Sequence, residues 1–73
     1  MKSLTQKRAA YLRKRMEDSA TWMDVLEKEI HTAQRVGDKE EASRLSYIYE
    51  REKSLYNALR RALVANQDTL AIL

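Results

Sequence analysis

The sequence predicts an all-α fold: a two-helix antiparallel hairpin, coiled-coil-like, that completes a four-helix bundle by dimerising or by binding a partner helix. The chain of 73 residues has no proline and a single glycine, Gly37, near its midpoint. Apolar residues repeat at helical spacing on both sides of this glycine. Charged residues make up 34% and hydrophobic residues 44%, a balance typical of long helices. We therefore treat residues 1–73 as a single helical hairpin.

The first helix is predicted from about residue 4 to residue 36. Residues 3–6 have the S-x-x-Q form of a capping box, with Ser3 as the N-cap. An apolar seam then follows an unbroken heptad repeat through Leu12, Met16, Ser19, Met23, Leu26, Ile30 and Ala33. Such a repeat predicts a face that packs against another helix.

The turn is predicted at residues 37–38. Gly37 suits the position just after a helix, because glycine takes the left-handed backbone conformation without steric cost. Asp38 and Glu41 have the spacing of a second capping box, which predicts that a new helix begins at once. Because the stop and start signals touch, the helices must be antiparallel neighbours.

The second helix is predicted from residue 39 to about residue 70, with a frayed apolar tail at 70–73. Its apolar residues share one arc, and pairing Ala33 with Ala42 sets a register that also brings Leu26 to Tyr49. Glu52 and Asn66 interrupt this arc. The core is expected to comprise Leu12, Met16, Met23, Leu26, Ile30, Leu45, Leu55, Leu59 and Leu63.

The apolar surface is broader than one partner helix can cover, since a coiled-coil seam is about two heptad positions wide. Tyr11, Trp22, Val25 and Val36 also lie beside the seam of the first helix. We therefore predict a partner interface at Trp22, Val25, Tyr49, Glu52, Tyr56, Leu63, Leu70 and Leu73. Alternatively, Trp22 only caps the intramolecular core and Glu52 reaches solvent at the edge of the arc.

The charges are divided along the hairpin. Residues 1–16 and 57–73 together carry eight Lys or Arg and one acid, a net of +7, whereas residues 17–56 carry six and ten, a net of −4. Candidate contacts for phosphate or an acidic partner are Lys7, Arg8, Arg13, Lys14, Arg15, Arg60 and Arg61, with Arg60 and Arg61 expected beside Arg15. The same polarity could instead orient two hairpins antiparallel, or the cations could face only solvent.

Enzymatic chemistry is not expected. The chain has no cysteine, and one glycine cannot form a glycine-rich phosphate loop. His31 is the only histidine, and the E-x-x-H pair of bundle metal sites would require Glu where Lys28 stands. We expect no catalytic residue, cofactor, metal or small-molecule substrate. No apolar run is long enough for a membrane span, so a cytoplasmic protein is expected.

The layout resembles two families of small helical hairpins. One is the RNA-binding plasmid copy-number regulator that forms a dimeric four-helix bundle. The other is the small co-chaperone of type III secretion needle subunits, which residues 37–38 and 51–55 resemble. The segment around Gly37 also resembles the inter-helix turn of tetratricopeptide repeats. These resemblances imply a helical hairpin that binds RNA in the first case and protein in the second.

The sequence thus favours a non-enzymatic protein–protein interaction module: an adaptor, co-chaperone or assembly subunit whose partner is a second copy or another helical protein. The alternative is a small RNA- or DNA-binding regulator that uses the basic open end of a hairpin dimer.

Overall fold

The computed structural model describes the backbone of residues 4–72 and the side chains of residues 6–66. The first helix, α1, is Leu4–Arg35, and the second, α2, is Lys39–Ile72. The two helices pack against each other as an all-helical hairpin, as predicted. No glycine or proline follows Gly37 to stop α2, which continues to Ile72. The predicted N-cap, Ser3, lies outside the described residues.

The turn closes α1 with a Schellman motif. Gly37 has φ of 77°, in the left-handed region that favours glycine. Its N–H donates to the carbonyl of Gln34 at 3.1 Å, and the N–H of Asp38 donates to the carbonyl of Ala33 at 2.9 Å. Both bonds satisfy carbonyls that the end of a helix would otherwise leave without a donor. Gly37 therefore ends α1, as its sequence position predicts.

Asp38 also begins α2. Its carboxylate accepts a hydrogen bond from the N–H of Glu41 at 3.1 Å, the N-cap interaction that the sequence predicts. The reciprocal bond of a capping box, from the N–H of Asp38 to the carboxylate of Glu41, is replaced, because this N–H already donates to the carbonyl of Ala33 in α1. The carboxylate of Glu41 instead accepts from Arg44, with Nε at 3.0 Å. A single residue thus serves the end of one helix and the start of the next.

The predicted seam of α1 is confirmed. All seven of its residues are buried or half-buried, and Ala9 extends the same heptad by one position toward the N-terminus. The centre of the core lies where Leu26, Ala33 and Leu45 pack together. Leu26 has no solvent exposure and is the largest fully buried side chain among those described.

The inward face of α2 follows a matching heptad, in the predicted register. Residues on this face are buried or half-buried: Ala42, Leu45, Tyr49, Glu52, Tyr56, Leu59, Leu63 and Asn66. Tyr49 packs against the core cluster containing Leu26, as the pairing with Ala42 predicted. Leu55 is an exception to the predicted core, because it is 39% exposed. It lies beside the heptad face, where a single partner helix cannot cover it.

The hairpin is a thin rod, with Cα extents of 54 × 18 × 12 Å. The rod consists of two helices side by side, and no third element among the described residues covers either of them. Residues outside the seam therefore lie on the surface of one helix or the other, and the surface has to supply any binding site.

Candidate association interface

The heptad divides the surface beside the seam into two flanks. Trp22 and Val25 of α1 lie on the same side of the seam as Ile48 and Leu55 of α2, and we call these four residues the Trp22 flank. Near the turn, this side of α1 and this side of α2 are seen to border the same surface, because Glu29 and Val36 line a shallow groove together with Glu41 and Leu45. Trp22 is 43% exposed, Val25 38% and Leu55 39%. Large apolar side chains are thus left in solvent along one side of the hairpin.

The opposite side carries a second apolar surface. Met16 and Ala20 of α1 line a shallow groove with Tyr56 and Leu63 of α2, and we call these four residues the Tyr56 flank. Arg13 and Glu17 border the same groove. This flank lies nearer the open end of the hairpin than the Trp22 flank does, because Leu63 and Met16 are further from the turn.

The residues predicted from sequence as one partner interface do not form a single surface. Trp22 and Val25 belong to one flank, whereas Tyr56 and Leu63 belong to the other. The side chains of Leu70 and Leu73 lie outside the described residues. Sequence reasoning placed Leu55 in the core and left Ile48 out of the interface, although both share the side of Trp22. The heptad spacing of Ile48 and Leu55 is the sequence signal that places both residues on one side of α2.

Tyr49 links the two helices on the side of the Tyr56 flank. Its hydroxyl donates to the carboxylate of Glu27 at 2.9 Å. This hydrogen bond, together with partial burial, raises the pKa of the Tyr49 phenol. Predicted as an intermolecular anchor, Tyr49 is half-buried and hydrogen-bonded within its own chain. Its hydroxyl is therefore engaged before any partner arrives.

Glu52 occupies a seam position of α2, where the register sets it opposite Met23. It is half-buried and lines a shallow groove with Ile48, Arg51 and Leu55. A carboxylate at a seam position adds nothing to the apolar core, and it lies against the edge of the Trp22 flank. This placement is compatible with both sequence interpretations, a specificity determinant or a side chain that reaches solvent.

The basic residues surround the open end instead of forming one face. All seven predicted cations are exposed. Arg60 and Arg61 line a surface groove of α2 with Asn57, whereas Arg15 donates to the hydroxyl of Tyr11 at 3.2 Å on α1. By the heptad, Arg15 lies on the side of Trp22 and Arg60 on the opposite side. The register therefore brings Arg60 to the level of Arg15 but not to the same surface.

In the described part of the chain, no group of three or more His, Cys, Asp or Glu side chains is arranged to hold a metal ion. Neither helix, over the residues described, is long and apolar enough to cross a membrane. The two flanks are the features that stand out on the described surface.

No protein-family model, no curated protein and no solved structure matches the chain.

Proposed function

We propose that this chain is a non-enzymatic protein–protein association module that completes a four-helix bundle, either with a second copy or with a partner's helices. The observation that carries the proposal is that exposed apolar side chains lie on both sides of the seam between α1 and α2. Contiguous exposed apolar side chains usually mark an interface. An adaptor, co-chaperone or assembly subunit would use such surfaces to cover the amphipathic helices of its partner.

The size of the core supports association. Among the described hydrophobic residues only Ala9, Leu12, Leu26, Ala33 and Leu45 are buried. Two of these five are alanines, which contribute little apolar area. A core of this size gives a small domain marginal stability, and oligomerisation is a common remedy where disulfides are absent. The chain has no cysteine with which to form one.

The nucleic-acid alternative has weaker support. Phosphate binding is expected where cations cluster on one face, whereas the exposed cations here surround the open end. Lys14 is also paired with Asp18 at 3.1 Å. An Arg13/Lys14/Arg15→Ala variant separates the two proposals. Salt-sensitive RNA binding that this variant loses, with its assembly intact, would favour the alternative.

The test of association is the mass in solution at micromolar concentration, measured by sedimentation equilibrium. We expect at least twice the chain mass of 8.6 kDa, or a poorly helical monomer that folds when a partner is added. In the assembled protein the fluorescence of Trp22 should be shifted to the blue. A well-folded monomer with water-exposed Trp22 emission would refute the proposal.

A matched pair of variants links the mass to the surface. Trp22→Ser removes an aromatic side chain from the Trp22 flank and is expected to increase the monomer fraction. Val64→Ser removes another exposed apolar side chain, 50% exposed, from the side of α2 that faces away from the Trp22 flank. This control should leave the mass unchanged. Equal effects of the two substitutions would show that Trp22 acts only through helix stability.

A further inference from the structure

The Trp22 flank carries charges of opposite sign at its two ends. Arg15 and Glu29 each lie seven residues from Trp22, in opposite directions along α1. Because seven residues make one heptad, all three share the same side of the helix. At a rise of about 1.5 Å per residue, each charge lies about 10.5 Å from Trp22 along the axis. The sequence along this side is therefore basic, apolar and acidic in turn.

Both charges are available on the surface. Arg15 is exposed and is held by Tyr11, which accepts its hydrogen bond and has its ring 5.9 Å from the guanidinium carbon. Glu29 is exposed and forms no ion pair among the described side chains; Arg44 of α2, itself paired with Glu41, interacts with it electrostatically from beyond ion-pair distance. The flank thus offers a positioned cation at one end and an anion without an ion-pair partner at the other.

A basic, apolar and acidic order with equal spacing is self-complementary. A two-fold axis passing near Trp22, perpendicular to the hairpin, would reverse the second copy and set its Glu29 opposite the Arg15 of the first. By the same symmetry the Arg15 of the second copy lies opposite the Glu29 of the first, so the contact forms twice, as in every isologous interface. It would also bring the Trp22 side chains together and set Ile48 at the level of the smaller Ala58.

The charge of the whole hairpin favours the same arrangement. The two open-end segments sum to +7 and the closed-end segment to −4. Parallel packing would set two basic ends side by side, whereas antiparallel packing sets each basic end beside an acidic one. A two-fold axis at the Tyr56 flank, near Ala20, is less favourable, because it would set Arg13 opposite Glu27, whose carboxylate already accepts from Tyr49, and would bring Arg60 near Lys53, a like charge.

We propose that the occupant of the Trp22 flank is a second copy of this chain, packed antiparallel, with Arg15 of each copy paired to Glu29 of the other. This inference rests on the proposed function and specifies its partner. The product is a four-helix bundle in which α1 packs against α1 of the second copy and α2 against its α2.

Charge reversal tests the pairing. Arg15→Glu and Glu29→Arg should each raise the dimer dissociation constant by about tenfold, since each replaces two attractions by two repulsions. The double variant should return the constant to within about threefold of the original. The matched controls are Lys53→Glu and Glu50→Arg, which make the same charge changes at exposed positions away from the Trp22 flank. They should leave the constant within about threefold.

A distance measurement tests the orientation. The chain has no native cysteine, so an Arg35→Cys substitution provides a single site for a spin label near the turn. Antiparallel packing about Trp22 separates the two labels by about 40 Å, whereas parallel packing brings them within about 20 Å.

The outcomes distinguish this inference from the proposed function. A dimer with distant labels and charge-swap rescue supports both. A dimer with close labels, or one that responds to Arg15→Glu no more than to Lys53→Glu, overturns the antiparallel pairing and leaves the association proposal standing. A poorly helical monomer that folds only with a different protein likewise overturns the antiparallel pairing and leaves the association proposal standing. A well-folded monomer overturns both.

Discussion

At the scale of single residues, Ser19 shows the cost of the seam. It is buried, with 5% of its surface exposed, and its hydroxyl oxygen has no hydrogen-bond partner. A buried hydroxyl without a partner costs free energy because it has given up its hydrogen bonds to water. The register sets Ser19 opposite Tyr56, so a small side chain at this position leaves room for a large one. Its size suits the packing, whereas its polarity has no counterpart in the core.

We expect Ser19→Ala to stabilise the protein by about 1.5 kcal/mol, because it removes the unsatisfied hydroxyl and improves helix propensity. The control is Ser54→Ala, at an exposed position of α2, which reports helix propensity alone and should give about 0.5 kcal/mol. Urea unfolding at one fixed protein concentration measures both, since oligomerisation makes stability depend on concentration. Equal gains from the two substitutions would show that the buried hydroxyl carries no penalty.

At the scale of the helices, periodicity predicts much of the fold. The unbroken heptad of α1 identified all seven seam residues, and Gly37 with Asp38 located the turn, because these signals are local. The position of Leu55 could not be predicted in the same way. An apolar arc wider than the seam does not reveal which of its edges the partner helix covers, and only the packed pair decides that. For the same reason the predicted interface mixed residues from both flanks.

The start of α2 should be sensitive to acid. The hydrogen bond from Arg44 holds the pKa of the Glu41 carboxyl below its usual value. A lowered folded-state pKa gives stability that is fully present above the unfolded pKa of about 4.3 and is lost as pH falls through the folded value. Glu41→Gln should therefore lower the urea midpoint at pH 7, and the difference should vanish near pH 2.

Glu40→Gln is the control for this prediction. Glu40 occupies the same first turn and interacts with the same helix dipole. Among the described side chains Glu40 forms no ion pair. Its substitution should therefore have a smaller effect at pH 7. A Glu41→Gln effect that persists unchanged at low pH would mean that the charge of Glu41 is not its source.

At the scale of the whole molecule, the hairpin is a rod with one basic and one acidic end. The ion pairs within the described residues join neighbours on the same helix, such as Lys28 and Asp24 at 3.1 Å. These pairs do little to cancel a charge difference between the two ends of a 54 Å rod. The charge separation is therefore available for interactions between molecules, because exposed ion pairs within a helix are weak.

We expect the dimer to weaken as salt screens this attraction. Raising NaCl from about 20 mM to about 500 mM shortens the Debye length below the spacing of the charges on the flank. The dissociation constant, measured by sedimentation, should rise by about tenfold. The Arg15→Glu variant should respond less, or in the opposite direction, because its facing charges repel. A wild-type constant that falls with salt would indicate purely apolar association.

The sharing of Asp38 between the helices has a consequence for how alternative packings are excluded. Since the residue that completes the Schellman motif also caps α2, the loop has no slack, and sliding α2 by one heptad along α1 would break both sets of turn hydrogen bonds. The turn alone thus fixes which side chains meet. Because the turn fixes the register, the seam tolerates Ser19, Glu52 and several alanines. The larger apolar side chains remain exposed on the outer surface, where a second molecule can contact them.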